Sequence, residues 1–335
     1  MKVALITDAW HPQVNGVVTT LAKVVKILES NFDCEVKIFE PSMCKQFPLP
    51  GYNEIKLSIN PWKTLKEFKE FQPDAVHIAT EGTLGIFYRY YCKKHNILYN
   101  TSYHTKFPEY LNEYLKLPLS IGYFFERWFH QYSKKVLVTT ETVRSELSKH
   151  NFNKEMLIWE RGVDLNFFRP RVGETKNEMP VLLNVGRISL EKNLEDFFSL
   201  DIPNTRKRMV GDGPVRKKYE KKYPNVEFVG YKTGKELAKE YANADVFVFP
   251  SKSDAFGNVI LESLSCGTPV AGYDVSGTRD ILTEGINGYY MSDDLKENVI
   301  NSLKLNRKWV RSSVEEKSWY DCVSIFYYAL IFAKK

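Results

Sequence analysis

Short apolar runs of strand type alternate with stretches of helical period along this sequence, and few folds absorb that alternation. Residues 2–7, 35–39, 75–78, 97–101 and 136–140 read as strands, with helical stretches between them. The stretch 17–30 carries Val18, Leu21, Val24, Val25 and Leu28 at helical spacing, and 141–149 reads as a further helix. A second series runs through strands at 181–185, 209–210, 228–231, 245–249 and 270–273, with helices at 215–223, 237–243 and 258–266. Strand and helix in strict turn imply βαβ units and parallel sheets, an α/β fold class. The 335 residues suit two such domains. Residues 162–180 lack a period and are polar after Phe168, which sets expected boundaries of 1–168, a linker at 169–180, 181–317, and an apolar-aromatic terminal helix in 318–335.

Composition narrows the class. Hydrophobic residues at 43% with charged residues at 26% describe an ordinary globular chain. No apolar run approaches the roughly 20 residues of a membrane span, and the opening residues read as too short and too soon acidic for a signal peptide. Cys34, Cys44, Cys92, Cys266 and Cys322 are odd in number and scattered, so a reducing cytoplasm is expected, without disulfides or zinc pairs. A formal charge of +6 favours anionic ligands or membrane surfaces and does not demand nucleic acid.

The densest chemistry lies at 249–270. Pro250 stops a strand, Gly267 and Pro269 stop a helix, and between them a glycine-containing loop enters the helix 258–266. Asp254 sits on the loop and Glu262 in the second helical turn, while Asn258, Glu262 and Ser265 fall on one helix face. A helix N-terminus offers N–H groups to an anion, and carboxylates beside it suit a ligand that also carries hydroxyls. A loop acid capping a turn and an exposed helix acid would account for the same two residues. Arg187 and Lys192 share the loop after the strand 181–185, and two cations suit a diphosphate. In the first half, Gly16 marks a loop-to-helix junction and His104 follows a strand's carboxyl end, where doubly wound sheets bind ligands. No phosphate-loop motif and no Asp-x-Asp pair occurs, so no metal and no cofactor is expected. Residues 118–135 place Phe125, Trp128, Phe129 and Tyr132 on one helical face, which fits either core packing or a membrane interface.

With Phe256-Gly257 behind Asp254, the spacing from Asp254 to Glu262 resembles the Glu-x7-Glu motif of family 4 retaining glycosyltransferases. The resemblance extends over Asp8–Gly16, Thr101–Phe107, Arg161–Asp164, Gly186-Arg187 with Glu191–Asn193, Gly211–Pro214 and Ser318-Trp319. It implies the GT-B fold: two Rossmann-like doubly wound domains facing across a cleft, with the C-terminal helix crossing back to the first. It also implies roles. Gly16, Arg187 and Lys192 would serve the donor diphosphate, Glu262 the nucleotide ribose, and Asp254 with the backbone of Phe256, Gly257 and Asn258 the donor sugar. His104 would approach that sugar from the first domain. Asp254 stands where Glu is commoner, as in the branch of mannosyltransferases and diacylglycerol glycosyltransferases. The span from Asn193 to Gly211 is short for the family, implying a trimmed helix. The expected partners are a nucleotide-sugar donor, a lipid or glycan acceptor, and the anionic inner face of a membrane. A sugar-nucleotide epimerase, for which Glu81 and Glu109 are the available acids, and a non-catalytic sugar-nucleotide-binding protein are the other classes open.

Overall fold

The computed structural model describes residues 1–330 apart from Val14, Pro50, Gly51, 172–176, Ser253 and Ala255; the side chains of 48, 49, 52–56, 110 and 113–115 are likewise outside the description. The chain forms two compact units, Met1–Arg161 joined by the segment from Trp319 onward, and Gly162–Ser318.

The first unit holds β1 (Lys2–Ile6), β2 (Glu35–Phe39), β3 (Gln46–Leu49), β4 (Tyr52–Ser58), β5 (Ala75–Ile78), β6 (Asn100–Tyr103), β7 (Lys135–Val138) and β8 (Glu155–Ile158). Six of these make one parallel sheet in the order β2-β1-β5-β6-β7-β8, while β3 and β4 pair as a separate antiparallel hairpin. Alternation along β1 explains the layering. Val3 and Leu5 face the helix Gly16–Asn31 through its Leu21, Val24 and Leu28, whereas Ala4 and Ile6 face the cluster around Phe39, Phe68 and Tyr88. With both faces covered, the central strands β5 and β6 are buried along their whole length, including the polar His77, Asn100, Thr101 and Ser102. Asn15 caps the helix Gly16–Asn31, its side chain accepting from the Val18 N–H. The terminal helix Trp319–Ala329 belongs to this unit: Cys322, Val323, Phe326 and Ala329 join Val3 and Leu5 in one core, and the buried Trp159 Nε1 donates to Cys322 O at 3.0 Å.

The second unit holds β9 (Val181–Val185), β10 (Arg206–Val210), β11 (Val226–Gly230), β12 (Val246–Phe249), β13 (Val270–Gly272) and β14 (Gly288–Tyr289), parallel in the order β11-β10-β9-β12-β13-β14. Phe247 and Phe249 contribute to a core with the helices Gly234–Asn243 and Asn258–Ser265, and Val246 and Val248 to the core on the other face.

Three expectations change. The strand expected at 97–101 is Asn100–Tyr103, because Asn96 turns left-handed (φ 55°) and Ile97 still donates to Cys92 O, so the chain reaches the sheet later. The second unit starts at Gly162, before the boundary expected at 168: Val163, Leu165 and Phe168 pack into its core. Of the expected linker 169–180, Asn177 is tied to Asn243 O and Asp245, and 172–176 lie outside the described residues. The strands β3, β4 and β8 carried no signal strong enough to be expected. The helix Leu194–Phe198 has five residues, in keeping with a shortened span before Gly211.

Candidate functional site

In each sheet the order of strands reverses beside the first strand, between β9 and β12 in the second unit and between β1 and β5 in the first. Loops leaving such neighbours diverge and open a crevice at the strands' carboxyl ends.

In the second unit the loop leaving β9 is strapped to the loop leaving β10, on the side away from β12. Gly186 N donates to Val210 O at 3.0 Å and Ile188 N to Asp212 O at 2.9 Å. A side chain at Gly211 would put its Cβ 1.9 Å from Gly186 O, so only glycine permits this approach. The loop after β9 then makes a 3-10 turn, Leu190–Lys192, and Asn193 adopts φ 50° with its side-chain N–H groups donating to Asp196 Oδ2 and Pro250 O. Lys192 Nζ thereby meets Asp254 Oδ1 at 2.5 Å, the two side chains 24% and 21% exposed. Burial acts to raise the Asp254 carboxyl, but the Lys192 ammonium outweighs it and holds the group below the usual carboxylate range. Ser276 Oγ donates to Asp254 O at 3.0 Å and fixes the loop. Gly257 takes φ 85°, a left-handed turn that starts the helix Asn258–Ser265. The Phe256 side chain is core, so its expected contribution to ligand binding is a backbone one.

Glu262 lies one turn along that helix. Tyr241 on Gly234–Asn243 donates its hydroxyl to Glu262 Oε2 at 2.8 Å. Burial pushes the Glu262 carboxyl up to about 7, and the Tyr241 hydrogen bond opposes this. Tyr241 carried no sequence signal, because a tyrosine on an amphipathic helix reads as core. Asn258, Glu262 and Ser265 share one face of this helix, of which the Ser265 end is fully buried and donates to Phe168 O. Arg187 stands half-buried on the loop it shares with Lys192. The structure thus brings together Lys192 and Asp254 beside Gly257 and Asn258, with Glu262 a turn away.

In the first unit, Gly16 opens the helix after β1 and His104 directly follows β6. Arg161 Nη2 donates to His104 Nδ1 at 2.9 Å, and the ring packs edge-on to Trp159. Burial, reinforced by the Arg161 charge, holds the imidazole well below its usual value and therefore neutral. Because Nδ1 accepts from a permanent donor, the ring proton sits on Nε2, which is buried and lacks a hydrogen-bond partner among the described residues. Arg161 fixes the tautomer of His104, a role that its place in the sequence did not disclose. Asp8 at the exit of β1 accepts from Leu84 N, Gly85 N, Thr80 Oγ1 and Thr83 Oγ1, so it closes the helix Thr83–Lys94. The aromatic stretch divides. Phe129 is fully buried, Trp128 and Tyr132 lie under the Arg89 guanidinium, and Phe124, outside the expected face, is 64% exposed. No helix among the described residues is long and apolar enough to cross a membrane. One group of described side chains has metal-ligand spacing, Glu81, Glu126 and His130; it includes Glu81, named above for the epimerase class, and none of the residues expected at the donor site.

Comparison with known proteins bears on the family and the fold. A sulfoquinovosyl transferase of Arabidopsis thaliana is 30% identical over 78% of this chain, which spans only 55% of that protein's length. A GDP-mannose-dependent α-mannosyltransferase of Mycobacterium tuberculosis is 26% identical, covering 84% of this chain and 82% of that one. An α-monoglucosyldiacylglycerol synthase of Streptococcus pneumoniae is 26% identical over 90% and 78%. The sucrose-phosphate synthase structure from Thermosynechococcus elongatus superposes with a TM-score of 0.78 at 18% identity over 98% of this chain and 97% of that one, a likeness of fold. The model of glycosyltransferase family 4 matches residues 14–167 and that of glycosyl transferases group 1 matches 179–304, one in each unit, and with the GT-B-type pair of parallel sheets they show that this chain belongs to the family 4 glycosyltransferases.

Proposed function

We propose that the protein is a retaining, metal-independent hexosyltransferase that moves a sugar from a nucleotide-diphosphate donor, UDP-glucose-like or GDP-mannose, to a hydroxyl of a membrane lipid such as diacylglycerol. The observation that carries the reading is the Lys192–Asp254 pair at 2.5 Å, set where the strand order reverses and next to a helix N-terminus. Ligands of open parallel sheets bind at such points, and helix N–H groups favour phosphate oxygens. Lys192 and Arg187 face the charge that grows on the leaving diphosphate as the bond between it and the sugar's anomeric carbon breaks. Asp254, released from its ion pair as Lys192 turns to phosphate, accepts from a sugar hydroxyl. The acceptor oxygen bonds to the anomeric carbon on the face the phosphate leaves, and its proton passes to the departing phosphate oxygen. His104, held as the Nε2–H tautomer, donates to a hydroxyl of the sugar. Glu262 accepts from the ribose.

The lipid acceptor is supported by the α-monoglucosyldiacylglycerol synthase among the relatives and by the helix Leu119–His130. Ile121, Phe124 and Trp128 fall at i, i+3 and i+7 and are all exposed, with the exposed Lys116 just before the helix. Basic residues beside such a face contribute about 1 kcal/mol each at an anionic bilayer.

The test is incubation with chelator, labelled UDP-glucose, UDP-glucuronate, UDP-galactose or GDP-mannose, and liposomes containing diacylglycerol, followed by lipid extraction. Label in a glycolipid supports the reading. Label only in soluble glycans, with no sedimentation on liposomes, replaces the lipid by a glycan acceptor. Epimerised donor without acceptor would move the activity to the epimerase class, and complete dependence on added metal would remove the metal-free mechanism.

A further inference from the structure

The first unit carries a cluster of buried chemistry that donor transfer does not use. Glu81 lies on the loop after β5, and Glu126 and His130 are one turn apart on the helix Leu119–His130. His130 Nε2 stands 3.2 Å from Glu126 Oε2 and 3.7 Å from Glu81 Oε1, and the three potential ligand atoms lie within 4.8 Å of one another. We propose that Glu81, Glu126 and His130 form a binding site for one divalent transition-metal ion of the zinc class, which fastens this helix to the sheet.

The argument starts from unmet hydrogen bonding. Both Glu126 oxygens, Glu81 Oε1 and His130 Nε2 are buried and have no hydrogen-bond partner among the described residues, and Glu126 and His130 are completely enclosed. Groups of this kind are rare in a folded interior, because each unmet one leaves its loss of hydration uncompensated. His130 Nδ1 is 2.7 Å from Thr101 Oγ1 on β6. With that nitrogen donating to the hydroxyl, Nε2 turns a lone pair toward the two carboxyls, and once these are ionised three acceptor groups converge. A cation satisfies all of them together.

The two separations from His130 Nε2 are compatible with coordination. Tetrahedral zinc with bonds of about 2.0–2.1 Å sets its ligand atoms roughly 3.3 Å apart, which lies between the two separations observed. The Thr101 hydroxyl behind the imidazole supplies the outer contact that orients a metal-bound histidine. Tyr103, Phe129 and Phe152 ring the imidazole and keep the surroundings apolar. An imidazole with two carboxylates selects first-row ions over magnesium or calcium, which take oxygen ligands. The Glu81 side chain, 13% exposed, marks the way in.

None of these ligands is assigned to donor or acceptor above, so the site stands or falls apart from the transfer reaction. Its expected role is to hold the helix that carries the exposed aromatic face.

The test uses the purified full chain. Elemental analysis is expected to find one zinc-class ion per chain, and stripping it to lower Tm by several degrees. Zn2+ or Co2+ restores the Tm and Mg2+ does not, and Co2+ gives the visible absorption of a tetrahedral site. Glu81→Gln, the mildest variant because that side chain reaches solvent, is expected to weaken Co2+ binding by at least about tenfold with the metal-free Tm unchanged. His130→Gln is expected to abolish the Co2+ spectrum. No ion at stoichiometry, no heat on zinc titration and no Tm response would overturn the proposal, as would binding that survives both substitutions.

Discussion

The two strand-order reversals hold acids in comparable positions and use them differently. In the second unit Asp254 faces a single mobile-ended cation, Lys192, at 2.5 Å, with both side chains in partial contact with solvent. In the first unit Asp8 is surrounded by two backbone N–H groups and two hydroxyls from the segment Thr80–Gly85. A lysine can leave its partner for a phosphate; two N–H groups of a helix cannot. The same topology therefore yields a charge that a ligand can claim in one unit and a fixed brace in the other. Beside that brace, Glu81 and Glu126 have neither arrangement, which is why they call for a cation of their own.

Lys192→Ala breaks the comparison most sharply. Loss of one group that stabilises developing charge is expected to cost about 2–4 kcal/mol in turnover, and the variant also leaves Asp254 without its partner. Because the Asp254 carboxyl is lowered in the folded state, the pair's contribution to stability is full at neutral pH and fades as pH falls through that lowered value. Lys192→Ala/Asp254→Asn should recover the Tm lost by the single variant but none of its turnover. Recovered turnover in the double variant would make the pair a structural ion pair only. For the brace, Asp8→Ala should lower the unfolding free energy by about 2–3 kcal/mol, read by chemical denaturation, because four donors lose their acceptor. A loss as small as that of a surface substitution would remove the contrast between the units.

What the sequence disclosed follows physical range. Strands β2, β5 and β9 run as expected, because each carries a short cluster of β-branched and other apolar residues between polar segments. The left-handed Gly257 and Gly267 also follow from residue type. The edge strand β8, only four residues long and opening on an exposed Glu155, carries a weaker signal of this kind and was invisible. At the candidate site the spacing of Asp254 and Glu262 was legible because loop and helix are local, whereas the contact of Lys192 with Asp254 spans 62 positions and was not. The other partners were equally hidden. Tyr241 reaches Glu262 across 21 positions, and Arg161 reaches His104 across 57. The acid cluster is equally remote, since nothing near Glu81 in the sequence announces a helix some 45 residues on.

Glu262 offers a finer test, through pH. Its folded carboxyl titrates near 7, above the ordinary carboxylate range, so the folded state retains a proton that the unfolded chain has released. Glu262 therefore weakens the fold as pH rises from about 4.5 to 7. Donor affinity is expected to move the other way, because the ionised carboxylate is the better acceptor for ribose hydroxyls. A rise of about tenfold between pH 6 and 8 is expected, measured by calorimetry with the free nucleotide diphosphate. Glu262→Gln should flatten both profiles. An affinity profile that keeps its slope in the variant would remove Glu262 from the ribose.

Tyr241→Phe carries the smallest effect and reports on the same group from its other side. The ring stays, since it is fully buried and packs against Phe168 and Phe247 at 5.9 and 5.7 Å between centroids. Only the hydroxyl is lost, at a cost of about 1 kcal/mol in stability. That hydroxyl holds the Glu262 carboxyl down against burial, so its removal lets the carboxyl rise further above about 7. The rise in donor affinity should then shift to more alkaline pH, with wild type and variant converging once both carboxyls are ionised. Weaker binding at neutral pH that disappears in alkali separates this from a packing defect, which would weaken binding equally at every pH. An unmoved midpoint would show that the Tyr241 hydroxyl serves the core alone and that the second unit, like the first, uses its buried acid as a brace.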